Sequence, residues 1–313
     1  MPEPLVVAIL GPTASGKSAL ALALAERVGG EIINCDSTAV YRGFDIGTDK
    51  VSLDERRGIP HHLIDIADPT EVYTAAQFAR DAARIIREIQ ARGRLPIIVG
   101  GTGLYYRALT RGLFPGPPAD EALRARLEAI AGRRGLPFLH RMVRRVDPPS
   151  AERILPGDRK RMVRALEVFL LTGAPLTQHF ADTVSPIAGM PVLAIGLRIP
   201  SPLTAERTAR RVGLQFERGL MDEIRGLLAA GIPETARPFG GLVYRQAMEY
   251  LHGVRDEAAT RELIACENRH YAKRQATWFK KEPDLQWFEG PGESPATIAA
   301  VGLLVAERLG TAG

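Results

Sequence analysis

LVVAILGPTASGKSALALALAERV, residues 5–28, is the stretch from which the architecture of this chain is read. An unbroken apolar run over residues 5–10 stops at Gly11, a loop closes on Gly16-Lys17-Ser18, and a helix-like SALALALAERV follows. A second apolar run, EIINC, then ends at Asp36. Strands that are apolar on every residue are buried on both faces, so a β-loop-α-β opening of this kind belongs to a parallel sheet. The same grammar returns in HLIDI, in the helix-like residues 75–92 closed by Gly93, and in LPIIVGG. Alternating elements of this type predict an α/β fold: a P-loop parallel sheet covered by helices on both faces.

The composition shifts at FPGPPAD, residues 114–120, where prolines and glycine precede several Arg-rich amphipathic stretches. PVLAIGLRI, residues 191–199, reads as a strand again, and LQWFE as a last one. The expected organisation is a core of residues 1–114 and 190–313 with an inserted all-helical lobe of residues 115–189. A hydrophobic share of 45% over 313 residues supports one principal core with an appendage. No apolar run approaches the roughly 20 residues that cross a bilayer, and the expected location is the cytoplasm, with no membrane partner. Cys35 and Cys266 have no neighbours at metal-ligand spacing, which argues against a zinc site or a disulfide framework. The formal charge of +5 is unevenly spread: between Glu121 and Arg164 twelve Lys/Arg face five Asp/Glu, so the remainder of the chain is net acidic. Such a local excess points to an anionic polymer.

Gly11-Pro12-Thr13-Ala14-Ser15-Gly16-Lys17-Ser18 fits the phosphate-loop pattern and stands where that pattern belongs, after a strand and before a helix. Backbone N–H groups would wrap a phosphate, the helix N-terminus adds its dipole, Lys17 adds a charge, and the Ser18 hydroxyl can reach Mg²⁺. A nucleotide hydrolase would carry an acid at the end of the strand holding residues 97–99. That run ends instead in Gly100-Gly101-Thr102-Gly103, which suits either close substrate approach or a tight turn. Asp36 also stands at a strand end, as a proton acceptor or as a turn cap. Arg207, Arg211, Arg218 and Arg225 on one helical stretch are candidates for a further anion contact, or for a solvated face. In ENRHYAKRQATWFKK, helical spacing brings Lys273, Arg274, Trp278 and Lys281 near one side, an RNA-binding combination unless Trp278 is core.

Taken in order, GPTASGKS, DSTAVYRGFDIGTDK, GIPHHLID, the stretch over residues 73–81, VGGTGLY, DRKRMVRALEVF and YAKRQATWFKK resemble the tRNA dimethylallyltransferase family, also called tRNA isopentenyltransferase or IPP transferase. The resemblance runs from residue 11 to about residue 281. It implies transfer of a dimethylallyl group from dimethylallyl diphosphate to the exocyclic N6 amine of the adenosine 3′-adjacent to the anticodon, in tRNAs reading codons that begin with U. It also implies residues 11–18 as the diphosphate loop, Mg²⁺ at Ser18, and Asp36, Thr102, Lys17 and Arg225 as the catalytic set. The tRNA anticodon stem-loop would meet Asp36, Ser37, Thr38, Ala39, Thr102, Arg124, Arg159, Lys160, Arg161, Tyr244, Arg245, Lys273, Arg274 and Trp278, in a monomeric protein. A carbon–oxygen bond is broken in this reaction, which accounts for the missing water-positioning acid. Ala39, Val243 and Asn268 depart from the residues many relatives carry, and bear on the fit to RNA. The same P-loop would also serve an ATP-dependent small-molecule kinase, and the same prenyl chemistry an adenylate isopentenyltransferase.

Overall fold

The first apolar run forms β1 (Val6–Leu10), every residue of which is buried. The computed structural model describes residues 5–114, 116–181 and 183–310. After β1 come α1 (Lys17–Val28), β2 (Gly30–Asn34), β3 (His61–His62), α2 (Ala75–Ala91), β4 (Leu95–Gly100) and α3 (Gly103–Arg111). A helical stretch follows: α4 (Glu121–Arg134), α5 (Leu136–Val146), α6 (Pro148–Arg153), α7 (Arg159–Thr172) and α8 (Leu176–Ala181). The chain then adds β5 (Val192–Arg198), α9 (Ser201–Glu217), α10 (Leu220–Ala229), α11 (Tyr244–Leu251), α12 (Glu257–Phe279), β6 (Leu285–Glu289) and α13 (Pro295–Arg308).

The six strands are all parallel, in the order β3-β2-β4-β1-β5-β6. Alternate residues of each strand point to opposite faces, and both faces are packed. Val6, Ala8, Leu10, Ile33 and Ile98 join one cluster with residues of α2, α3, α11 and α12. Val7, Ile9, Ile32 and Ile97 join another with α1 and α13. The expected HLIDI strand shrinks to His61–His62 because Leu63 and Asp65 take positive φ angles of 61° and 57°, which end the extended chain. Helix α2 starts where Thr74 and Gln77 form a reciprocal capping box.

Two compact units result, one of residues up to Leu109 together with those from Ile187 onward, the other from Thr110 to Pro186. These limits precede the compositional break and the strand used to place the insertion. Ile187 and Met190 already pack into the first unit's core before β5 begins, which moves that limit forward. Pro115, at the expected boundary, lies outside the described residues. The second unit has its own core around Leu127, Leu139, Val143, Met162 and Leu166. Among the described residues, no helix is long and apolar enough to cross a membrane.

Candidate active site

Strands β1 and β4 are neighbours, with Leu10 beside Gly100, yet the helices that follow them cover opposite faces of the sheet. Where connections diverge like this, a crevice opens at the strands' C-terminal ends. Residues 11–18 form one lip of it. Gly16, the residue before α1, has no side-chain cap, and Leu20 is the first N–H of that helix to find a backbone acceptor, Gly16 O at 3.1 Å. Among the described residues, the N–H groups of residues 14–19 have no acceptor, which leaves a ready anion site. The Lys17 ammonium donates to Pro12 O at 2.6 Å. Burial and the charge of Arg211 push Lys17 down to about 7, against the opposing pull of Asp36. A bound phosphate would restore its full charge.

A cavity of about 220 Å³ lies in the crevice, lined by Lys17, Ser18, Asp36, Arg211, Tyr271 and Gln275 among others. Asp36 Oδ1 accepts from Thr38 N at 2.8 Å, Thr38 Oγ1 at 2.6 Å and Ala39 N at 3.4 Å. Its other oxygen has no partner among the described residues. One oxygen therefore fixes the turn, and the other is left open at the cavity. Thr102 Oγ1 accepts from Ser37 N at 3.1 Å, and Thr102 N donates to Cys35 O at 3.2 Å. The two strand-end loops are thus one hydrogen-bonded unit.

The opposite wall is α12. Gln275 accepts from Thr13 N at 2.8 Å and donates to Gly101 O at 2.9 Å, joining the P-loop to the end of β4. This approach explains the glycines of VGGTG: a Cβ at Gly101 would stand 2.2 Å from Gln275 Nε2, and one at Gly103 2.3 Å from the Trp278 ring. Burial, then the charge of Asp36, push the Tyr271 phenol above its usual range. Tyr271 and Gln275 were not singled out from the sequence. Tyr271, Gln275 and Trp278 follow one another at four and then three residues, the spacing that marks one side of a helix.

Arg225 does not stand at the cavity: it is exposed and pairs with Asp222 at 2.9 Å on its own helix. Arg211 does, donating to Thr13 Oγ1 at 2.7 Å and pairing with Asp49 at 3.0 Å, while Gln215 holds the same carboxylate at 3.0 Å. Burial keeps Asp49 above the usual carboxylate range despite the charges of Arg211 and Arg218. Arg207 is engaged by Glu293.

Among the described residues no cluster of three His, Cys, Asp or Glu side chains could hold a metal ion by itself. The exposed Ser18 hydroxyl on the cavity fits a Mg²⁺ that takes its remaining ligands from phosphate oxygens and water, the usual habit of that ion.

Lys273, Arg274, Trp278 and Lys281 do come together, in a groove of about 410 Å³. Trp278 is half-buried, covered on Gly103 and faced by the Arg107 guanidinium at 4.4 Å. Tyr244 departs from the RNA-binding expectation. It is 1% exposed, its hydroxyl donating to Glu223 at 2.5 Å and accepting from Gly47 N at 3.0 Å. Arg245 pairs with Glu267 at 2.5 Å. In the second unit, Arg124 is committed to Glu167 at 2.9 Å, Arg159 to Glu128 at 3.1 Å and Arg161 to Asp158 at 3.3 Å. Lys160 is exposed. Of the departures, Ala39 is buried at the cavity wall and Asn268 is buried, bonding Ile264 O at 2.9 Å. Val243 has φ 77° and ψ −61°, a mirror-image γ conformation that strains any β-branched residue and that glycine would adopt freely.

Fold and site together define a P-loop α/β protein whose unpaired loop N–H groups share one cavity with a free carboxylate oxygen. Residues 39–282 match the family described as IPP transferase. The chain is 50% identical to a tRNA dimethylallyltransferase of Solibacter usitatus, over 93% of this chain and 94% of that one. It is 45% identical to one of Koribacter versatilis, over 95% and 97%. Among solved structures it resembles the tRNA isopentenylpyrophosphate transferase of Bacillus halodurans, at 37% identity and TM-score 0.72, covering 98% of this chain and 97% of that one. A eukaryotic dimethylallyltransferase acting on tRNA superposes with TM-score 0.80 at 26% identity, covering 97% and 79%. The chain belongs to the IPP transferase family.

Proposed function

We propose that this protein is a tRNA dimethylallyltransferase that moves the dimethylallyl group of dimethylallyl diphosphate onto the N6 amine of the adenosine 3′-adjacent to the anticodon. The observation that carries this reading is the single cavity in which the P-loop anion site faces the unpartnered oxygen of Asp36. The diphosphate lies on the N–H groups of residues 14–19 with Lys17 and Arg211. Ser18 would hold Mg²⁺, which supplies further charge neutralisation on the leaving group. The adenine amine attacks the first carbon of the allyl group, the carbon–oxygen bond breaks, diphosphate leaves with the electron pair, and the amine proton passes to Asp36. Positioned anion donors of this kind are worth about 10²–10³ in rate each, and a positioned base about 10²–10⁴. Thr102 and Ser37 hold the turn that aims Asp36.

A stacked adenine cannot reach this carboxylate, so the base flips out of the anticodon loop into the cavity. The basic groove of Lys273, Arg274 and Trp278 receives the RNA beside it, with exposed Lys160 as a further phosphate contact. This reading assigns the activity to a monomer working in the cytoplasm.

The test is transfer of labelled isoprenoid from dimethylallyl diphosphate to an anticodon stem-loop, with AMP and a stem-loop lacking the target adenine alongside. Label on the intact stem-loop alone is expected, and Asp36→Asn should lower turnover by at least 10²-fold with RNA still bound. Label on AMP alone would make it an adenylate isopentenyltransferase, and ATP turnover without transfer would make it a kinase.

A further inference from the structure

Helix α12 presents a third face that the reaction does not use. Its stripe of Arg269, Lys273, Ala276 and Lys280 borders a groove of about 550 Å³ that runs past Pro12 to the end of β5 and to Trp287 on β6. Arg198 lies over the Trp287 ring at 4.7 Å and is fixed there by Glu289 at 2.8 Å. Five lining residues carry basic side chains, Arg198, Arg269, His270, Lys273 and Lys280, and among the described residues no acid lines the groove. It is continuous with the Trp278 groove, the two sharing His270, Lys273 and Thr277.

We propose that this groove is a second RNA-binding surface, holding the single-stranded nucleotides that flank the modified adenosine. Charge complementarity selects a polyanion, and continuity with the first groove makes it the same strand. Arg269, Lys273 and Lys280 take phosphates. The Trp287 ring with its Arg198 lid offers a flat surface on which a base of any identity can stack, the usual way of holding an unpaired strand. The inference rests on the tRNA reading above.

Arg269→Glu combined with Lys280→Glu tests it, with Arg27→Glu combined with Arg308→Glu, exposed on α1 and α13, as a charge-matched control on the opposite face of the sheet. Each lost phosphate contact on a single strand lowers the slope of log affinity against log salt by about 0.7. The double variant should therefore lose about 1.4 of slope and at least tenfold in stem-loop affinity at low salt, while the control keeps the wild-type line. A stem-loop carrying 4-thiouridine beside the target adenosine should photo-crosslink to the wild-type peptide that contains Trp287. An unchanged slope in the double variant, or adducts confined to the Trp278 groove, would overturn the second surface. Should the wild-type protein neither bind nor prenylate the stem-loop, the functional reading itself falls and takes this inference with it.

Discussion

Arg211 and Arg225 stand on successive helices and meet different surroundings. Arg211 is held between Thr13 and Asp49 at the mouth of the P-loop, and Arg225 extends into solvent beside Asp222. Arg211→Ala should lower kcat/KM for dimethylallyl diphosphate by about 10²–10³, as expected for a lost donor to a developing anion. Arg225→Ala should stay within about twofold, since an exposed ion pair contributes little. Steady-state kinetics on both variants decides between them. Helical spacing alone put four arginines on the page, and nothing in it says which one another segment will cover. Lys17, Asp36 and Thr102 could be put near one crevice from sequence because each follows a strand end, a position that packing does not change. Tyr244 was misplaced for the same reason that Arg225 was: its neighbours Glu223 and Gly47 are remote in sequence.

At the scale of elements, α12 is the piece that the cavity and the basic groove share. Tyr271 and Gln275 line the crevice, and Trp278, one turn further along, lies with Lys273, Arg274 and Lys281 in the groove proposed for RNA. Gln275→Leu would leave the Thr13 N–H and the Gly101 carbonyl without partners, at about 1–3 kcal/mol for each buried group. The expected outcome is diphosphate affinity weakened by at least tenfold with stem-loop affinity held within about twofold, measured by calorimetry on each ligand alone. The apolar runs of β1, β2, β4 and β5 could be read from sequence because parallel central strands are apolar throughout. The shortening of β3 could not, since it comes from two residues with positive φ in a segment whose composition still favours a strand.

Across the whole molecule, the second unit is pinned by one buried carboxylate. Glu167 is fully buried and meets Arg124 at 2.9 Å and Arg164 at 2.6 Å. Burial alone would raise it, but the hydrogen bonds from Arg124 and Arg164 hold it below its ordinary value of 4.5. Its stabilisation is complete above that value and is lost as pH falls through the lower, folded-state value. Glu167→Gln should cost about 1–3 kcal/mol, the loss of charge-assisted hydrogen bonds to two arginines that stay partly in solvent. Urea unfolding at neutral pH should show that loss, and the variant should lack the acid-dependent part of it. The positive balance of this segment was evident in composition, whereas the share of it neutralised internally by Glu167, Glu128 and Asp158 was not. The strand order carries a consequence for biosynthesis. β1 to β4 leave the ribosome first, and the segment from Thr110 to Pro186 follows as a unit with its own core. At about 5–20 residues per second, β1 waits several seconds with one edge unpaired before β5 arrives to cover it. The P-loop is made well before Arg211, Tyr271 and Gln275, so a nascent chain completes the proposed diphosphate site only once α12 has been synthesised.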